Sequence, residues 1–219
     1  MIKYMKYFIY LFVFIAFFPA KAGSYEDYFV AIKQDDSRTV ESLLKRGFDP
    51  NARDPKGVHG LFVAVSEPSP KVAGVLIDWP KTDVEPRTKE DESPLMIVAL
   101  KGDLELARRL VARGAHVNKT GWTALHYAAT NGHLTLIRFL LEQNAYIDAE
   151  APSGTTPLMM AAHYGTPEAV KLLLDEGADP MLKNLQGLTA IDFANRANRK
   201  ESAELIAAFI RSRQPRGKW

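Results

Sequence analysis

The 219 residues contain no cysteine. This excludes disulfides, thiolate metal sites and cysteine nucleophiles together. Catalytic and phosphate-binding signatures are missing as well. There is no G-x-S-x-G elbow, no H-E-x-x-H helix, no P-loop and no dinucleotide glycine fingerprint. Nor is there an excess of charge of one sign. The 28 basic residues include Lys3, Lys6 and Lys21, and without those three the balance is 25 basic against 26 acidic. The slightly basic pI of 8.7 is therefore owed to the first residues. The remainder lacks the electrostatic footprint of a nucleic-acid binder.

The one long apolar run lies at the start. Lys3 and Lys6 precede an uninterrupted apolar stretch from Tyr7 to Phe18, and Ala20-Lys21-Ala22 follows. A positive n-region, an apolar h-region and a small-x-small site are the three parts of a secretory signal peptide. The expected signal is 1–22, with cleavage after Ala22. The alternative is a membrane anchor, but a span needs about 20 apolar residues, more than this run supplies. No cysteine follows the run, so a lipid anchor of the bacterial lipoprotein type is excluded. Export into an oxidising compartment is compatible with a chain that needs no disulfides. For a Gram-negative source that compartment is the periplasm.

What is present is a repeat. Gly121-Trp122-Thr123-Ala124-Leu125-His126-Tyr127-Ala128-Ala129 leads to Gly132, and a relative returns from Gly154-Thr155-Thr156-Pro157-Leu158 to Gly165. Leu125, Leu158 and Ile191 stand thirty-three residues apart. A period of this length marks a stacked repeat array, in which no unit buries its apolar face alone. Thr123, Thr156 and Thr189 sit at helix N-cap positions. Pro94 and Pro157 occupy first helical positions, where the missing N–H costs nothing. Gly132 and Gly165 follow the short helices, where a positive φ ends a helix. Alanine pairs at 128–129 and 161–162 let neighbouring helices approach closely.

These residues resemble the ankyrin repeat, whose T-P-L-H-x-A core is matched best at Thr123 to Ala128. The resemblance implies an all-α solenoid of about six helix-turn-helix repeats with short β-hairpin fingers, over 24–212. A basic tail, 213–219, follows. Helices are expected at Tyr25 to Gln34 and Thr39 to Arg46, with Tyr28, Ala31, Ile32, Val40, Leu43 and Leu44 inward. Glu26, Lys33, Asp35, Asp36 and Arg38 should form the polar outer face of the first repeat. The second repeat is the most degenerate, with His59-Gly60 in place of the threonine and proline. Leu61 to Leu95 is thirty-four residues, one over the period, and Leu95 to Leu125 only thirty. The shortfall places a three-residue deletion between Asn118 and Gly121, which should shorten that finger and leave a notch. A closing helix is expected over Glu201 to Arg211.

The five histidines are spread over four repeats without ligand spacing. The run Glu90-Asp91-Glu92 lacks the oxygen pattern of a calcium loop. No cofactor and no metal are expected. The resemblance gives His126 a structural role, its ring bonding backbone and the capping threonine.

Ankyrin arrays bind proteins through finger tips and the exposed ends of inner helices. Mapped onto this chain, the family's variable positions select Arg87, Leu100, Lys101, Trp122, Thr130, Asn131, Thr155, His163 and Tyr164. Trp122 and Tyr164 are the expected anchors, since exposed rigid aromatics dominate interfaces. The rival reading of Trp122 is packing across its own finger. The expected activity is non-enzymatic binding of another protein by a monomer, with no nucleic acid and no stable membrane insertion. Its service is as adaptor or protector of a resident protein. Alternatives are an immunity-type inhibitor of a toxin and, in a different class, a hydrolytic or metal-dependent enzyme.

Overall fold

In the computed structural model, residues 23–213 are described; the expected signal peptide, 1–22, and residues 214–219 of the tail lie outside them. The chain divides into two compact units at Asp83/Val84. Both are helical, and no strand occurs among the described residues.

The first unit holds α1 (23–33), α2 (Ser37–Lys45), α3 (Gly60–Ser66) and α4 (Pro70–Asp78). Tyr28, Ala31 and Ile32 on α1 are buried, as are Val40, Leu43 and Leu44 on α2. The i, i+3, i+4 spacing that singled them out is the stripe of a one-sided helix. The Tyr28 hydroxyl donates to the Pro50 carbonyl at 2.9 Å. A Cβ on Gly60 would stand 2.5 Å from that hydroxyl oxygen, so Tyr28 explains the glycine at the start of α3. His59 caps α3 in place of threonine, its Nδ1 accepting the Leu61 N–H at 3.1 Å. Two residues of the expected polar outer face are instead helix caps. Asp36 accepts the Thr39 N–H of α2, and Asp35 accepts the Val72 N–H of α4 at 2.9 Å. A carboxylate at a helix N-terminus satisfies an orphan donor and offsets the helix dipole.

The second unit holds α5 (Pro94–Lys101), α6 (Leu104–Ala112), α7 (Ala124–Thr130), α8 (Leu134–Glu142), α9 (Pro157–His163), α10 (Pro167–Asp175), α11 (Ala190–Arg196) and α12 (Lys200–Arg213). The inner helices α5, α7, α9 and α11 pack in sequence, and the outer helices α6, α8, α10 and α12 pack in a parallel layer. Fully buried alanines at 99, 128, 129, 161, 162 and 194 line the inner layer. Small side chains there permit the close approach that dispersion requires. The closing helix extends past the expected bounds at both ends, by Lys200 at the start and by Ser212 and Arg213 at the end.

Each inner helix opens on the same device. Ser93, Thr123, Thr156 and Thr189 are N-caps, and the side chain at the third helical position turns back to the cap N–H. That position is filled by Met96 and Met159 through sulfur, at 3.4 Å, by His126 at 3.2 Å and by Asp192 at 2.8 Å. One reciprocal cap geometry thus accepts three chemistries.

The expected β-hairpin fingers are reduced to one rung each, except the first, where Gly60 also donates to the Ala52 carbonyl at 2.9 Å and Arg53 pairs with His59 in an isolated antiparallel bridge. Backbone bonds join Asp54 to Val58 (2.8 Å), Thr88 to Glu92 (3.1 Å), Ala151 to Thr155 (2.9 Å) and Asn184 to Leu188 (3.0 Å). Each turn contains one residue at positive φ: Gly57, Asp91, Gly154 and Gly187. A side chain then staples each loop to the next. Asn51 accepts the Asp83 N–H (2.8 Å), Glu85 that of His116 (2.7 Å), Asn118 that of Tyr146 (2.8 Å) and Asp148 that of Asp179 (3.1 Å). These bonds satisfy backbone donors that a longer ladder would otherwise take.

Candidate functional site

The second unit presents two groups of candidate residues, one at each end of the inner helices. An inner helix of seven residues is about 10 Å long, so the groups are separate. Trp122 precedes α7, while Tyr164 follows α9. The two expected anchors therefore do not share one cluster.

At the finger end, the shortened loop over 118–122 has no backbone rung. Lys119 takes its place. Its Nζ meets Asp91 Oδ2 at 2.5 Å, the Thr120 carbonyl at 2.9 Å and the Trp122 carbonyl at 3.3 Å. The bond from Lys119 holds the Asp91 carboxyl below the usual range. Only 14% of the Lys119 side chain is exposed, so this ammonium is part of the loop's framework. The expected notch is present as a cavity of about 350 Å³ lined by Glu90, Asp91, Lys119, Trp122, Glu150 and Pro152. Trp122 is half-buried, its ring edge-on to His126 at 5.2 Å and to Tyr127 at 6.4 Å. It packs on the start of its own helix and also walls the notch.

His126 is fully buried between two loops. Its Nδ1 receives the Thr123 N–H at 3.2 Å and lies 2.9 Å from the Thr123 hydroxyl, so Nε2 carries the proton donated to the Thr155 carbonyl at 2.9 Å. Burial lowers its pKa to about 4, which keeps the ring neutral. The structural role expected for His126 is the one it has.

Thr155 is corrected by the same contact. It is 4% exposed, its carbonyl accepts His126, and its hydroxyl is 2.8 Å from Ser153 Oγ. Thr155 fastens one finger to the preceding helix and offers no surface. Arg87 is also engaged, with Nη2 on Glu85 Oε2 at 2.5 Å. Its Nη1 is buried with no hydrogen-bond partner among the described residues.

At the other end, the C-termini of the inner helices form a row. Lys101, Asn131, Tyr164 and Arg196 are exposed there, while Leu100, Thr130 and His163 are half-buried. Neighbouring ends are tied by side chains. Asn131 Nδ2 and His133 Nε2 both reach the Leu100 carbonyl, at 2.7 and 2.9 Å. His163 Nδ1 bonds the Phe193 carbonyl at 3.1 Å, and Arg199 Nη2 donates to the Tyr164 carbonyl at 3.1 Å. The Thr130 hydroxyl turns back to the His126 carbonyl at 2.8 Å. Tyr164 is 55% exposed and rests against the His163 ring at 4.2 Å. Of the residues mapped from the repeat pattern, His163 and Tyr164 form one cluster and Leu100 and Asn131 another. Arg199 and Phe193 were missed, because their part is a contact to the preceding repeat that no spacing reveals.

Two family models of ankyrin repeats match, over residues 61–151 and 142–194. The chain belongs to the ankyrin-repeat family. Among curated proteins, it is 31% identical over 170 residues to the nuclear factor NF-kappa-B p105 subunit of Gallus gallus. That match covers 74% of this chain but 17% of the relative. The chain thus spans less than a fifth of that protein. The ankyrin repeat protein YahD of Escherichia coli (strain K12) is 28% identical, covering 83% of this chain and 94% of YahD. A solved structure, described as a predatory endopeptidase from Bdellovibrio bacteriovorus in complex with an immunity protein, matches with a TM-score of 0.72 and 28% identity. The match covers 83% of this ankyrin-repeat chain and 97% of the matched one.

Proposed function

We propose that this chain is a non-enzymatic module that binds a partner protein through the exposed ends of its inner helices, in the compartment reached by way of residues 1–22. The observation that carries the reading is Tyr164. It is a large aromatic, 55% exposed, on a backbone fixed by Arg199 and packed at Gly165. A preformed anchor of this kind loses little conformational freedom on binding. The service is retention or protection of a resident protein.

A second reading is favoured by one comparison. The Bdellovibrio structure pairs an endopeptidase with an immunity protein. An immunity-type inhibitor of a peptidase uses the same surface and differs only in what it covers.

The test is capture from an envelope extract of the source organism, with wild-type chain and a Tyr164→Ala variant. The expected result is one stoichiometric protein held by wild type and lost by the variant, at a cost of about 2 kcal/mol or more. A protein held equally by both would move the surface elsewhere. A captured protein that keeps its own function in the complex favours the protector; titratable loss of peptidase activity favours the inhibitor.

A further inference from the structure

The last inner-helix end carries charge of one sign. Between Phe193 and Lys200 the chain holds Arg196, Arg199 and Lys200 and no carboxylate. All three cations are exposed. The nearest acids are committed or peripheral. Asp192 is bound by the Thr189 N–H and hydroxyl, at 2.8 and 2.7 Å, within the α11 cap. Glu168, at the start of α10, is held by its own backbone N–H and by Thr166. Glu201 follows on α12.

Through Arg199 this run adjoins the aromatic cluster. Arg199 Nη2 holds the Tyr164 carbonyl, and the His163 ring lies between Tyr164 at 4.2 Å and Phe193 at 5.9 Å. The backbone beneath is fixed. A Cβ on Gly165 would stand 2.5 Å from the Ala129 carbonyl oxygen and 2.8 Å from that of Ala161, so the turn is seated directly on α7 and α9.

We propose that this patch docks an acidic polypeptide segment carrying an aromatic or apolar side chain. The partner's carboxylates meet Arg196 and Lys200, and its apolar side chain lies on Tyr164. The inference rests on the protein-binding reading above and adds the chemistry of the partner. Charge complementarity names the occupant: three cations in five residues, with Asp192 already engaged, repel a basic partner and steer an acidic one. A nucleic acid is the competing polyanion. Single-stranded nucleic acid is held on successive stacking rings along a basic groove. This patch offers one exposed ring, and basic and acidic residues nearly balance over the chain beyond residue 22.

Cations near a helix C-terminus also offset its dipole, so the test pairs binding with stability. Fluorescence anisotropy of the purified full chain is read against a fluorescein-labelled random copolymer of glutamate and tyrosine. A lysine–tyrosine copolymer and an oligothymidine serve as comparators, at about 50 and about 200 mM salt. The glutamate copolymer is expected to bind, more weakly at higher salt. Arg196→Glu/Lys200→Glu should weaken it by about tenfold or more, Tyr164→Ala by a similar factor, and Arg196→Gln/Lys200→Gln by less. The thermal midpoint of all three variants should stay near that of wild type, because Arg199 is left in place. The inference is overturned by no binding, by equal binding of the charge-reversed variant, or by preference for either comparator. A captured partner lost with Tyr164 but indifferent to charge reversal would leave the binding module standing and sink this inference alone.

Discussion

Gly165 and Gly102 fill similar positions after inner helices and face different demands. Gly102 lies at φ 78° with the His133 ring 2.6 Å from a built Cβ, whereas Gly165 faces the carbonyls of two helices. A side chain can move aside and a backbone carbonyl in a packed layer cannot. Gly165→Ala should therefore cost about 3 kcal/mol, measured by urea denaturation; a loss near zero would show that α7 and α9 can part. Histidine sets a pH dependence at the same scale. Burial lowers the pKa of both His59 and His126 to about 4. Their unfolded values lie near 6.5. The unfolded chain takes up protons first, so stability is full above about 6.5 and declines as pH falls toward 4. His126→Gln should start less stable at neutral pH and show a shallower decline over that window. A decline as steep as that of wild type would assign the slope to other groups.

The staples act between elements. Asn118 joins its loop to the next through two bonds, Oδ1 to the Tyr146 N–H at 2.8 Å and Nδ2 to the Asn144 carbonyl at 2.7 Å. Asn118→Ala should cost about 1–2 kcal/mol, read as a shift in the urea midpoint with the slope unchanged. The shortened finger makes a sharper case. Lys119→Met keeps the stem and removes all three polar contacts of the ammonium, so the 118–122 loop should gain amide exchange while α7 does not. Uniform protection throughout would sink the claim that Lys119 replaces the missing rung. Sequence legibility also divides at this scale. The caps at Thr123, Thr156 and Thr189, the inward stripes of α1 and α2 and the notch were readable, because each is a local pattern or a spacing. Asp35, His59, Lys119 and Thr155 were misread or underread, since each acts through a partner about thirty residues away or through one side chain's reach. The surface residues were legible only by position in the repeat. Whether Leu100 or Tyr164 faces solvent depends on the neighbouring helix end, and no single repeat encodes that.

Across the second unit, every inner helix touches its sequence neighbours and the outer layer repeats the pattern. Stability in such an array is a sum of unit terms and nearest-neighbour terms. Substitutions in the 193–200 patch should accordingly leave exchange protection of α5 and α6 unchanged, whereas a cavity such as Leu140→Ala, at a fully buried position, should lower it over α7 to α10. Amide exchange on the two variants separates these outcomes. The 193–200 patch lies at the far end of the unit from α5, so the proposed anchor can change without disturbing the opposite end.

In the tip over 184–188 one rung joins Asn184 to Leu188, a turn bond joins Gly187 to Asn184, and the Leu185 N–H reaches the Ser153 carbonyl at 2.9 Å, while Lys183 before it is exposed. Continuity of the peptide there contributes little, since α11 and α12 are held by α9 and α10 and by the bonds from His163 and Arg199. A protease clip after Lys183 should leave two pieces that travel together on a sizing column and part only in denaturant. The same break makes this chain a candidate split reporter: the piece from Asn184 onward, supplied separately, would regenerate the Tyr164 surface only when both halves meet.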